Sequence, residues 1–292
     1  MIYNNFTQAR ADLLSQFRRA PTLHPQRWQG VDVSKRPEAK MVEVLHPEVR
    51  VPIAGEALDF HRFDIKPNLP WADKHFDERV CGVPINPGVE WANWPWGTSA
   101  VDHLEPNGMF NHNYMERYWP RFAGYMDKPT KTVEDWLTHP DAGPYPDARA
   151  FLPYVGQAKP HHGIRYEYGD LNDMIDMLAA EPDTRQAYLP IFFPEDTGTR
   201  NPTRKPCTLG YHFILRHGYF HITYYMRSCD FYRHWADDCY LTVRLLLWVL
   251  DRLREKQPDT WGVVKPGYFI MHITSLHMFT NDLRVLTEQD KR

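Results

Sequence analysis

Apolar positions recur at helical spacing in four stretches of this chain. Between Thr7 and Ala20, Leu13, Leu14 and Phe17 fall on one side of a short helix, and prolines at 21 and 25 end it. The clearest stripe runs from Gly169 to Ala180, where Leu171, Met174, Ile175 and Leu178 face one way before Glu181-Pro182-Asp183 closes the helix. A long apolar helix is predicted over Cys239 to Lys256, carrying Leu245, Leu246, Val249, Leu250 and Leu253. A last one is predicted from His277 to Leu286.

Alternation with period two marks strands. From Val42 to Ile65 it picks out Val42 and Val44, then Val49, Val51 and Ile53, then Phe60, Phe63 and Ile65, with turns between. Tyr211–Leu215 and Tyr219–Tyr225 read as two strands joined at His217-Gly218. Gln186–Phe193 and Tyr268–Ile273 add two more. Residues 66–110 are rich in Pro, Gly and Trp and read as loops held by tertiary contacts. Residues 125–163 read as a second Pro/Gly-rich connection, an insertion. None of the 25 prolines falls between Cys207 and Lys256, so regular structure is densest there. Strands before and after buried helices, without strict alternation, predict an α+β fold on one large mixed sheet.

Composition narrows the function classes. With 42% hydrophobic and 14% aromatic residues, the 292-residue chain has material for a sizeable core. Its longest apolar run, Leu245 to Leu250, is far short of the ~20 residues a membrane helix needs. A net charge of −3 gives no reason to expect nucleic-acid binding, which favours a basic face. Met1 to Ala20 has no continuous apolar core of a secretory signal. Cys81, Cys207, Cys229 and Cys239 form no C-x-x-C pair, so free thiols in a reducing cytoplasm are expected. His161 and His162 are adjacent, a spacing ill suited to one metal ion, and no metal site is expected.

The chemistry-bearing residues gather in one stretch. Cys207 follows the stiff Pro206, and basic Arg204 and Lys205 favour a nucleophilic thiolate; a buried structural thiol is the alternative. Arg227-Ser228 combines a guanidinium and a hydroxyl suited to a phosphate, or simply a surface ion pair. Asp230, Asp237 and Asp238 form an acidic cluster that reads equally as a solvated loop, with Asp238 as a helix cap. His277 is a ligand contact or a core histidine. Glu90, among tryptophans, is either a proton-transfer group or the partner of an arginine.

Taken in order, these pieces resemble the thymidylate synthase family. They are Pro206-Cys207, Arg227-Ser228-x-Asp230, Asp238, Pro266-Gly267-x-Phe269 and His277-x-Phe279-x-Asn281, with 20 residues from Cys207 to Arg227. The segment Pro182-Asp183-Thr184-Arg185 and Phe193-Pro194-Glu195-Asp196 resembles what precedes the family's cysteine. The likeness runs from about residue 163 to 289. It implies a single domain over residues 1–292, a large mixed sheet with flanking helices, and a homodimer through the sheet face. It also implies a pyrimidine nucleotide substrate and 5,10-methylenetetrahydrofolate as cofactor.

Residue by residue, the resemblance makes Cys207 the nucleophile for pyrimidine C6 and gives the 5′-phosphate to Arg227 and Ser228. Arg185 becomes a phosphate ligand donated across the dimer, with Gln186 where a second arginine is usual. Asp230 holds the pterin ring. His277 contacts the sugar, with Phe279 replacing its usual tyrosine companion. Glu90 organises proton transfer. Where the family has an asparagine that reads uracil, eight residues after the aspartate, this chain has Asp238. A carboxylate accepts from the N4 amino group of cytosine and repels the O4 oxygen of uracil. A mispaired buried edge costs roughly 1–3 kcal/mol per group.

Bacteriophage deoxycytidylate hydroxymethylases carry the same replacement. The resemblance therefore implies cytoplasmic hydroxymethylation of dCMP at C5. dCMP methylation, a CMP or dUMP hydroxymethylase, and a non-catalytic nucleotide-binding protein are the alternatives. The chain ends at Arg292, without the family's closing C-terminal tail, which is expected to leave the site wetter and to favour hydroxymethylation. Arg233-His234-Trp235-Ala236 replaces the usual glycine-proline loop, so folate-side packing is expected to differ.

Overall fold

The computed structural model describes all residues except 29–30, 98–100, 102–103, 107, 111, 121–168, 194–195, 198–203 and 290–292. The 125–163 connection thus lies outside the described residues. In chain order the elements are helix α1 (Phe6–Phe17), strands β1 (Thr22–Leu23), β2 (Met41–Leu45) and β3 (Glu48–Pro52), and helices α2 (Leu58–Ile65), α3 (Trp71–Arg79), α4 (Tyr114–Tyr118) and α5 (Leu171–Ala180). Then come strands β4 (Tyr188–Pro190), β5 (Thr208–Arg216) and β6 (Tyr219–Asp230), helices α6 (Trp235–Lys256) and α7 (Pro258–Trp261), strand β7 (Lys265–Phe279) and helix α8 (Thr280–Gln289). The chain forms two compact units, one of residues 1–67, 182–186 and 207–292, the other of residues 68–181 and 187–206.

The first unit is built on a mixed sheet in the order β1-β2-β7-β6-β5, with β3 pairing further along β7. All its pairs are antiparallel except β6–β7, and the helix α6 supplies the long crossover that a parallel pair requires. Inward positions of β6 (Phe220, Ile222, Tyr224, Met226) alternate with half-buried ones (His221, Thr223, Tyr225), as a sheet with one covered face demands. Helix α6 packs on β6 and β7 and buries Leu245, Leu246, Val249, Leu250 and Leu253 completely. Each such leucine is worth about 1.5–3 kcal/mol of transfer free energy.

The pairing of β6 with β7 shifts register between Phe220 and Ile222. There the ring of His221 enters the ladder, and the Tyr268 amide donates to His221 Nδ1 at 2.9 Å. The approach requires glycine at 267, because a Cβ there would lie 2.5 Å from that nitrogen.

Four sequence expectations change. Phe60, Phe63 and Ile65 belong to the helix α2, not to a strand; Asp64 in it accepts the Phe6 and Thr7 amides and so holds the start of α1. Strand β7 continues through Phe279, where a helix was expected from His277, because β2 pairs along it from Ser275 to Phe279. The strand expected over Gln186–Phe193 is confined to Tyr188–Pro190. The Trp-rich stretch expected to be loop contains helix α3.

The second unit is organised by buried polar groups. Glu78 of α3 is 1% exposed, accepts the amides of Val89 and Glu90 on Oε1, and takes the Nδ1–H of His75 at 3.2 Å on Oε2. Arg79 Nε donates to His75 Nε2 at 3.1 Å, which fixes that tautomer. Trp71 stacks on His75 and donates to the Glu90 carbonyl. Arg117 of α4 makes a bidentate pair with Asp196 at 2.7 and 3.0 Å and lies over the ring of Phe193.

Candidate active site

Antiparallel pairing brings the cysteine to the arginine. Met226 of β6 lies opposite Thr208 of β5, and the Arg227 amide donates to the Cys207 carbonyl at 2.9 Å. Cys207 therefore sits immediately before β5, half-buried, beside the C-terminal end of β6. Its sulfur faces Ser228 Oγ at 3.6 Å and Arg227 Nη2 at 3.9 Å, while Arg227 Nη1 reaches Ser228 Oγ at 3.3 Å. A guanidinium and a hydroxyl thus converge on one thiol. Such a group can serve two ends: it offers donors to a sulfur anion and to the oxygens of a phosphate.

The next residues of β6 turn the chain into α6. Asp230 is 7% exposed, and its Oδ1 accepts the amides of Tyr232 and Arg233 at 3.0 and 3.1 Å. Arg233 approaches its other oxygen at 3.7 Å, pairs with Asp282 of α8 at 3.2 Å and lies 4.9 Å over the Phe279 ring. Burial pushes the Asp230 carboxyl up to about 6, against the pull of the Arg233 backbone and charge.

Parallel pairing sets His277 of β7 in register with Asp230, and the Phe231 amide donates to the His277 carbonyl at 2.8 Å. His277 is 4% exposed; burial, together with Arg227 and Arg233, lowers its pKa to about 4, so the imidazole is neutral at pH 7. Phe279 meets it edge-on.

Asp238 stands in the first turn of α6, its amide bonded to the His234 carbonyl. It is not the helix cap: His234 holds that position, without a side-chain cap bond. Asp237 is buried beside it, so the acidic cluster is no solvated loop.

Cys207, Arg227, Ser228, Asp230, Asp238, His277 and Phe279 thus all belong to the first unit. All but Cys207, which immediately precedes β5, sit at or just beyond the C-terminal ends of the parallel pair β6–β7, the part of a parallel arrangement where ligands commonly bind. Arg185 lies on the separate segment 182–186, exposed, its carbonyl accepting from His212 of β5 at 3.0 Å. Glu90 belongs to the other unit, where Asn93 donates to its carboxylate at 3.0 Å.

Two residues escape a reading of the sequence. Arg233 ties Asp230 to Asp282 and Phe279, a role hinted at only by its three-residue spacing from Asp230. Glu78 is more deeply buried than Glu90 and organises the turn that carries it; inside a mostly polar helix, nothing in its neighbours marks it. All four cysteines are free thiols. No helix among the described residues is long and apolar enough to cross a membrane.

No protein-family model matches the chain. It is similar to the deoxyuridylate hydroxymethyltransferase of Bacillus phage SP01, with 31% identity over 121 residues. That match covers 41% of this chain and spans 30% of the phage protein's length.

Proposed function

We propose that this protein transfers a hydroxymethyl group to C5 of a pyrimidine deoxynucleotide, with dCMP as its substrate. The observation that carries the reading is the convergence of Arg227 and Ser228 on the sulfur of Cys207, in register with the buried pair Asp230 and His277. The name of the phage SP01 relative supports the reaction class.

In this reading the Cys207 thiolate adds to C6 of the ring and makes C5 nucleophilic. Arg227 and Ser228 hold the 5′-phosphate, and Arg185 adds a guanidinium from a second copy of the chain. Neutral His277 meets the sugar hydroxyl, and Asp238 accepts from the N4 amino group of cytosine. Glu90 handles proton transfer. C5 loses its proton, water adds to the one-carbon group now carried on C5, and cleavage of the C6–sulfur bond restores the ring double bond and frees Cys207. 5,10-Methylenetetrahydrofolate supplies the one-carbon unit when bound. The residues present fit it: Asp230 offers a carboxylate to ring N–H donors, and Phe279 with Arg233 forms a flat cationic and aromatic surface beside it.

The homodimer of this reading uses the half-buried face of the sheet. Tyr225 stacks on His272, His221 on Tyr268, and Arg50 covers Tyr268, next to a cleft lined by His46, Leu209, Tyr225 and His272. Sedimentation at micromolar concentration is expected to give a dimer. dUMP as substrate is the second reading, favoured by the activity named for the relative.

The test is incubation with dCMP, dUMP or CMP plus methylenetetrahydrofolate, with products read by mass. Addition of a hydroxymethyl group to dCMP is expected. A methylated product, or turnover of dUMP alone, overturns the proposal.

A further inference from the structure

The strand that carries the Arg227-Ser228 pair also carries a thiol that the reaction does not use. Cys229 is 2% exposed, and strand alternation points it away from its neighbour Ser228, towards helix α6. There its sulfur lies 3.6 Å from Asp238 Oδ2 and 3.7 Å from the Asp230 carbonyl. Burial and the surrounding carboxylates raise the thiol well above its ordinary range, so it keeps its hydrogen at neutral pH and remains a donor. A donor held on the adjacent strand adds a constraint on the rotamer of this half-buried aspartate.

We propose that Cys229 is a positioning residue for base selection: its S–H donates to Asp238 Oδ2 and fixes the plane of the carboxylate that meets the pyrimidine edge. The inference rests on the reading of Asp238 as the residue that recognises the base. Cys229 touches no reacting atom, so its removal changes the choice between bases more than the rate of the chemistry.

The experiment measures kcat/KM and equilibrium binding of dCMP and dUMP for the wild type, Cys229→Ala, Cys229→Ser, Asp238→Asn and the double variant Cys229→Ala/Asp238→Asn. A thiol is a weak donor, so loss of this one bond is expected to lower the dCMP:dUMP ratio about three- to tenfold in Cys229→Ala, the range of an ordinary hydrogen bond. Cys229→Ser keeps a donor and is expected to retain most of the preference. In the Asp238→Asn background the alanine substitution is expected to leave the ratio unchanged.

An unchanged ratio in Cys229→Ala, alongside a shifted one in Asp238→Asn, overturns this inference and leaves the base-reading aspartate standing. An unchanged ratio in Asp238→Asn overturns the aspartate reading itself. An equal loss with both bases means that Cys229 serves packing alone. Should the alanine variant fail to fold, Cys229→Val keeps the volume without the donor, and its binding ratio decides in the same way.

Discussion

Two arginines show how differently this chain uses the same side chain. Arg117, in the second unit, is 1% exposed and gives a short bidentate pair to Asp196, with the Phe193 ring under its guanidinium. Arg227, in the first unit, is half-buried and meets a thiol and a hydroxyl at 3.9 and 3.3 Å. A buried charge needs a matched partner, because an unpaired one costs several kcal/mol. The first arginine is therefore committed to the fold. The second counts a thiol and a hydroxyl among its partners, groups beside which a ligand anion can also be held. The lesson is that partner chemistry, rather than burial alone, separates a structural ion from a functional one.

This contrast can be broken experimentally, beginning with the largest effect. Cys207→Ser is expected to abolish product formation, by on the order of a thousandfold or more, because the hydroxyl is a far poorer nucleophile. Tritium release from C5 of dCMP is the readout, and release that persists in the variant removes the nucleophile. Next comes Asp196→Ala, which leaves Arg117 charged and unpaired. A loss of about 3–5 kcal/mol in urea unfolding is expected, whereas Ser228→Ala is expected to stay within about 1 kcal/mol of wild type. Equal costs would erase the distinction between the two sites.

The pH dependence tests the buried pair at the strand ends. His277 titrates near 4 in the folded protein against its usual 6.5, so it contributes stability that is present above pH 6.5 and lost as pH falls towards 4. Asp230 has the opposite sign. Its folded pKa of about 6 lies above the usual 3.8, so folding gains stability as pH falls from 6 to 4. Each contribution is on the order of 3 kcal/mol, and they offset one another. Asp230→Asn is expected to unmask the histidine, and thermal unfolding should then show a steeper loss between pH 6.5 and 4 than in wild type. The same slope in both proteins would mean that the two groups are not poised as described.

The smallest effect separates two carboxylates in the second unit. Glu78→Gln is expected to lower the melting temperature by several degrees, since Oε1 accepts two amides and Oε2 takes the His75 proton. Glu90→Gln, whose side chain accepts only from Asn93 among the described contacts, is expected to change stability by less than about 1 kcal/mol. A reversed order would make Glu90 the structural group.

Much of this was legible in the residues. The helix 171–180 was readable from its stripe, and Asp170 caps it with a capping box. The hairpin β5–β6 followed from alternation around His217-Gly218, both of which have positive φ. What the periodicity could not supply was the partner. Phe60, Phe63 and Ile65 recur closely enough for a strand, yet Asp64 beside Phe63 binds the start of α1 and the segment coils into a helix. His277-x-Phe279 reads as a helix start until β2 is seen to pair with it.

The sequence by itself determined which residue types are available and their order: a cysteine, an arginine-serine pair 20 residues on, then two carboxylates and a histidine. Apolar spacing also put Arg227 on or beside regular elements, whereas His277, expected at a helix start, lies in a strand. Only the tertiary structure decided which of them meet. The β5–β6 register sets Arg227 against Cys207, the parallel β6–β7 register sets Asp230 beside His277, and the strand-to-helix turn brings Cys229 to Asp238. These are contacts between residues from 9 to 47 positions apart in the chain, made by backbone pairing and burial, which no local pattern of side chains encodes.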